Sequence, residues 1–118
     1  VVLATVQGDI HDIGKNIVKV LLENYRFQVL DLGRDVPPER VVETVLAENV
    51  KLVGLSALMT TTVPAMAETI RQLRQAAPDC RVMVGGAVMT PEYAAQIGAD
   101  HYGPDAMSSV HYAQELLG

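Results

Sequence analysis

The chain has 118 residues, 49 % of them apolar and only 4 % aromatic, and a net charge of −5. A domain of this length buries roughly two thirds of its unfolded surface, so its core must be built from aliphatic side chains. The acidic balance, with no cluster of Lys and Arg, argues against a nucleic-acid partner. No apolar run reaches the length of a membrane span. The single cysteine, Cys80, excludes an internal disulfide and suits a reducing compartment such as the cytoplasm. No signal-peptide pattern is visible. The opening at Val1, already inside an apolar run, reads as a domain taken from a longer protein, with residues 1–118 expected to form one unit.

The first element is the apolar run "VVLATV" (1–6), read as a strand. The loop "QGDIHDIGKN" (7–16) follows, and then a helix whose apolar stripe is Ile13, Ile17, Val20 and Leu21. "FQVLDLG" (27–33) is the second strand. After Pro37-Pro38 comes a helix with Val41, Val42, Val45 and Leu46 on one side, Pro38 suiting its first turn. "LVGLSAL" (52–58) is the third strand, and the helix after it carries Val63, Met66, Ile70 and Leu73, with Pro64 near its start. "RVMVGGA" (81–87) is the fourth strand. A short helix opens at Pro91 and stops at Gly98, and "DHYG" (100–103) is a short fifth strand. Asp105 is read as the N-cap of a last helix in which Met107, Val110 and Leu117 face inward.

Strands 1, 3 and 4 are nearly continuous in apolar residues, as strands covered on both faces are. Strand and helix alternate five times, and crossovers between parallel strands are right-handed. The expected fold is therefore α/β: a three-layer, doubly wound, five-stranded parallel sheet of the flavodoxin-like type, with strand order 2-1-3-4-5. In such a fold ligands bind beyond the carboxyl ends of the strands, where the strand order reverses. Three unusual sequences fall on that edge: "QGDIHDIGKN", "SALMTTTVP" and "GGAVMTP".

Each loop has a plain reading and a chemical one. His11 lies between Asp9 and Asp12. A carboxylate accepting from Nδ1 leaves Nε2 free to bind a metal, which is how metal-bound histidines are oriented. The plain reading is an exposed loop histidine with a helix N-cap at Asp12. Gly14 removes a side chain where the loop enters the helix, so something bulky can approach. Thr61 or Thr62 can cap the helix that starts near Pro64. Gly85-Gly86 is either a simple turn or a place where an extended ligand crosses the sheet edge. Lys15, where the helix dipole disfavours a cation, reads as solvated.

Several chemistries are set aside. A phosphoryl-accepting receiver needs an Asp ending strand 3, where this chain has Ser56 and Leu58. A flavodoxin needs hydroxyl residues in its first loop and aromatics for the flavin. A dinucleotide site needs G-x-G-x-x-G after strand 1. A structural zinc site needs three or four close ligands, and His11, His101, His111 and Cys80 are poorly spaced for that. Cys80 precedes strand 4, at the far end of the sheet, and reads as inert.

Taken together, D-x-H-x-x-G after strand 1, S-x-L after strand 3 and G-G after strand 4 resemble the cobalamin-binding domain of corrinoid enzymes, across nearly the whole chain. "GDIHDIGKNIV" and "GLSALMTTT" are nearer to methyl-transferring members than to adenosylcobalamin mutases or sensor domains. Among the former the chain looks most similar to cobalamin-dependent methionine synthase, with corrinoid proteins of methanol and methylamine metabolism as competitors. The resemblance implies cobalamin, as methylcobalamin, for a cofactor, with its own base displaced and His11 as the lower ligand of cobalt. Asp9 would hydrogen-bond His11, and Thr62 would complete the relay where the family often has serine. Gly8, Asp9, Ile10, His11 and Asp12 would pass under the corrin. The displaced tail would enter a slot between the sheet and the last helix. That slot would be lined by Gly85 and Gly86, with Ser56, Leu58 and Thr60 on the opposite wall and Ala106 near its end. The implied role is to carry a methyl group, here expected to go to homocysteine in methionine synthesis. The implied partners are a helical cap, methyl-donor and methyl-acceptor modules, and a reductive reactivation partner.

Overall fold

The computed structural model describes residues 1–118. In chain order the elements are β1 (Val2–Thr5), α1 (Ile13–Asn24), β2 (Leu30–Asp31), α2 (Pro38–Glu48), β3 (Leu52–Ser56), a 3₁₀ turn (Thr60–Thr62), α3 (Val63–Ala76), β4 (Arg81–Gly85), α4 (Pro91–Gln96), β5 (His101–Tyr102) and α5 (Ala106–Leu117). The strands form one sheet in the order β2-β1-β3-β4-β5, every pair parallel. This is the expected flavodoxin-like arrangement. Helix starts follow local chemistry. Pro38 occupies the first turn of α2, where its missing N–H costs nothing. The Asp105 carboxylate accepts from the Ser108 N–H at 2.8 Å and caps α5.

The edge strands are shorter than the sequence suggests. β2 keeps two of the residues 27–33, and β5 keeps two of 100–103. Both pair on one side only, so nothing extends them.

Alternate residues of a strand face opposite sides of a sheet, and the two sides are filled differently. Val2, Ala4 and Val6 join Val53, Leu55, Val82 and Val84 in a core of 17 buried residues closed by α2, α3 and α4. Leu3, Leu52 and Met83 join Leu22, Val110 and Ala113 in a core of only six, beneath α1 and α5.

Some predicted helix faces are corrected by this packing. On α3, Met66, Ile70 and Leu73 are buried as expected. On α1 most of the expected stripe is not buried: Ile13 is 78 %, Ile17 50 % and Val20 55 % exposed, while Leu21 packs against the smaller core. The helix instead turns Lys15 and Leu22 inward. Leu46 of α2 and Leu117 of α5, also expected to face inward, are exposed. Periodicity locates an apolar stripe, but the neighbouring layer decides which stripe is covered.

Candidate functional site

The loop after β1 turns back under the carboxyl end of β3, and this places Asp9 in the interior, fully buried. Four donors converge on its carboxylate. Oδ1 accepts from the His11 backbone N–H at 3.0 Å and from His11 Nδ1 at 2.8 Å. Oδ2 accepts from the Leu58 N–H at 2.7 Å and from the Thr62 hydroxyl at 2.8 Å. Burial alone would raise the Asp9 carboxyl. The backbone N–H groups of Leu58 and His11, with the His11 and Thr62 side chains, outweigh it and hold the group well below the usual carboxylate range.

An ionised Asp9 only accepts hydrogen bonds. His11 must then carry a proton on Nδ1, and in the neutral imidazole Nε2 presents a lone pair. The imidazole is 45 % exposed while its partner is sealed, so the free nitrogen is open to a ligand. No three His, Cys, Asp or Glu side chains converge into a metal site of their own. A metal at His11 would therefore have to bring its other ligands with it.

Thr62 stands at the N-cap position of α3 but makes no side-chain capping bond. Its hydroxyl lies 2.8 Å from both Asp9 Oδ2 and the Met59 carbonyl. The capping role expected of Thr61 or Thr62 is thus replaced, at Thr62, by support of Asp9. Asp12 holds the N-cap position of α1 without a side-chain cap bond either.

A cavity of about 460 Å³ opens beside this loop, over the α1 and α5 face of the sheet. Its floor follows from strand register. Leu3, Gly54 and Met83 lie side by side, and one step towards the carboxyl edge Thr5, Ser56 and Gly85 do the same. The second row is small, and Gly103 after β5 also lines the cavity. The hydroxyl of Thr5 is buried with no hydrogen-bond partner. Gly14, Lys15, Ile17 and Val18 of α1 form one wall, and Ala106 and Ser109 of α5 another. A Cβ at Gly14 would meet nothing within 4 Å, so this wall is open where α1 begins.

The expected site residues therefore fall into two groups. Asp9, His11, Leu58 and Thr62 form the relay around the buried Asp9 carboxylate. Gly14, Ser56, Gly85, Gly86 and Ala106 line the cavity. Leu58 and Thr60, expected along the slot wall, do not line it: Leu58 serves Asp9 through its N–H, and Thr60 is exposed in the 3₁₀ turn. Gly8, Ile10 and Asp12 stay in the loop that carries His11, and Gly8 and Ile10 are exposed.

Gly86 needs a different account from the expected one. At φ +121° it lies in the left-handed region, and a Cβ there would sit 2.0 Å from the Ala57 carbonyl oxygen. It is required for the two loops to approach, whatever passes over it. Gly85 is free of that demand, since a Cβ there would make only ordinary contact, 3.5 Å from the Gly103 oxygen. A substitution at Gly86 would thus disturb the fold itself.

Lys15 is the largest correction. It is 4 % exposed, lines the cavity and pairs with Asp31 at 2.5 Å. Nothing in its local sequence distinguishes it from a solvated lysine; the partner is sixteen residues away. Leu3, Met83 and Ser109 also line the cavity unforeseen, although the register puts Leu3 and Met83 on either side of Gly54. Cys80 is buried far from the site, and burial pushes its thiol up to about 11.

The model of the B12 binding domain family matches residues 1–111. Dimethylamine corrinoid protein 1 of Methanosarcina acetivorans is 45 % identical over 99 % of this chain, which spans 56 % of that relative's length. Among solved structures, a cobalamin-binding protein of Desulfitobacterium hafniense superposes with a TM-score of 0.95 at 39 % identity, covering 99 % of this chain and 58 % of that one. The methanol:cobalamin methyltransferase complex MtaBC of Methanosarcina barkeri has a chain matching with a TM-score of 0.93 at 36 % identity, covering 98 % of this chain and 45 % of its own. These likenesses correct the expected nearness to methionine synthase. They favour the corrinoid proteins of methylamine and methanol systems.

Proposed function

The chain belongs to the B12 binding domain family, and we propose that it carries a methyl group on cobalt for a methylamine- or methanol-type methyltransferase system. The relatives named for dimethylamine and methanol support that choice of system. The observation that carries the reading is the His11 imidazole, with Nδ1 committed to a sealed carboxylate and Nε2 open.

The residues present fit the cofactor. The relay offers a single nitrogen ligand and no other metal-binding group, as a cobalt already held by a corrin requires. The cavity provides a cradle of small residues, Ser56, Gly85 and Gly103. Bound cobalamin supplies a cobalt centre able to accept a methyl group and to give it up.

Everything else is done by the chain. His11 would ligate cobalt through Nε2. Asp9 fixes the tautomer and the ring orientation, and its negative charge makes the imidazole a better donor. Thr62 and the Leu58 N–H hold Asp9 and keep it ionised. The cavity between the sheet, α1 and α5 would hold the cofactor's tail. Methyl donor and acceptor sites, a helical cap over the upper face and a reductive reactivation partner belong to other segments or subunits of the system.

Titration of the purified chain with methylcobalamin, followed by visible absorption, tests this reading. The account expects saturable binding with a base-displaced, imidazole-ligated spectrum. A spectrum unchanged from free methylcobalamin at saturating protein would overturn it.

A further inference from the structure

α1 is held to the body of the protein in an unusual way. Its buried residues are Lys15 and Leu22 alone. Across its first turn and a half Ile13, Gly14, Asn16 and Ile17 are all exposed, and Lys15 is the single buried side chain. A cation near a helix N-terminus opposes the helix dipole, and an ammonium withdrawn from water is costly unless well paired. An apolar residue would make a cheaper contact, so the pair needs a reason other than stability.

The reason lies in what it joins. Lys15 Nζ is 2.5 Å from Asp31 Oδ1, at the end of β2. The same oxygen accepts the Gly33 N–H at 2.8 Å, and Lys19 stands 3.9 Å from Oδ2. A few residues on, the segment after β2 grips the other stem of the His11 loop. The Gly8 N–H donates to Asp35 Oδ1 at 2.8 Å, and the Asp35 N–H donates to the Asp9 carbonyl at 2.9 Å. Gly8 and Asp35 both have left-handed backbones, at φ 87° and 54°. Residues 31–35 thus clamp residues 8–15 at both ends, and His11 lies between the clamps.

We propose that Lys15 and Asp31 are positioning residues for His11: their ion pair pins the first turn of α1 to the end of β2 and so sets the reach of the imidazole. This rests on the reading that His11 ligates cobalt. The pair is directional where apolar contact would let the turn slide. It ties the position of the ligand to an edge strand that contributes nothing else to the site.

The test compares the chain with Lys15→Met, Asp31→Asn and the double variant. Lys15→Met leaves Asp31 its contacts with Gly33 and Lys19, so the fold should persist. In the cofactor-free proteins, amide exchange at Asn16, Ile17 and Val18 should be about tenfold faster in each single variant, equivalent to about 1.4 kcal/mol of local opening. Exchange in β3 should be unchanged. The double variant should be no faster than either single, because both remove one interaction. With methylcobalamin bound, the ratio of imidazole-ligated to unligated cofactor should fall about tenfold in step. Unchanged exchange in α1, a speed-up spread equally over β3, or an unaltered ligation ratio would each overturn the proposal. Wild-type chain that binds methylcobalamin without its imidazole would overturn the ligation reading itself, and the exchange data would still decide whether the pair anchors α1.

Discussion

On the side of the sheet covered by α2, α3 and α4, 17 buried residues form a continuous core. On the side covered by α1 and α5 there are six, and a cavity of about 460 Å³ takes the remaining space. α3 and α1 show the contrast at the level of single helices. α3 buries Met66, Thr69, Ile70 and Leu73, whereas α1 buries Lys15 and Leu22. Both have an apolar stripe, but on α1 Ile13 and Val20 are exposed, Ile17 lines the cavity and only Leu21 packs on the core. One face of the sheet has been filled for stability, and the other has been left unfilled at the edge where the ligating loop emerges.

Substitutions on the two sides should separate accordingly, and urea denaturation read alongside methylcobalamin titration measures both. The largest effect belongs to the filled side. Leu73→Ala removes a fully buried side chain and should cost roughly 2–5 kcal/mol of stability, with cofactor affinity unchanged in the fraction that stays folded. An equal loss of affinity in that fraction would break the separation.

Asp9 sits at the boundary between the two. Asp9→Asn loses charge-assisted hydrogen bonds worth about 1.5–3 kcal/mol. Because the folded-state value is held below the unfolded one, this stability is fully present above the ordinary carboxylate range, near pH 4. It is lost as pH falls from there through the depressed folded-state value. The gap in urea midpoint between wild type and variant should therefore narrow below about pH 4. A gap that fails to narrow there would contradict an ionised Asp9.

Gly85→Val places a branched side chain over the cavity floor. It should weaken methylcobalamin binding about tenfold or more, a change of 1.4 kcal/mol or above, while the cofactor-free fold survives. Unchanged affinity would show that the tail does not cross this row. Thr62→Val removes a neutral hydroxyl and should cost about 0.5–1.5 kcal/mol, with a small shift away from imidazole ligation. Ile13→Ala, at the exposed start of α1, should change stability by less than about 0.5 kcal/mol. A larger loss would mean that this face is covered in the isolated chain.

What could be read in the sequence follows the same division. Strand order, the start of α2 at Pro38 and the cap at Asp105 depend on local pattern and turn chemistry, and they were legible. The grouping of Asp9, His11 and Thr62 was legible only through the resemblance to corrinoid enzymes, since residue type alone made Thr62 a helix cap. The exposure of Ile13 and Val20, and of Ile17 at the cavity, was not legible. Periodicity gives a stripe, while the neighbouring layer, here partly a cavity, decides its direction. The Lys15–Asp31 pair was hidden for a related reason, since it joins helix to edge strand across sixteen residues. The backbone demand on Gly86 was not legible, because a glycine required by its own backbone and one kept small for a ligand look alike until the approach of Ala57 is seen.

The central claim is that the open nitrogen of His11 is the ligand to cobalt. Electron paramagnetic resonance of the chain loaded with unlabelled cobalamin in the Co(II) state, with the protein either unlabelled or labelled with ¹⁵N, tests it most directly. The account predicts an axial nitrogen splitting that changes on labelling the protein and disappears in His11→Ala. A splitting identical in labelled and unlabelled protein would assign the nitrogen to the cofactor's own base and contradict the account.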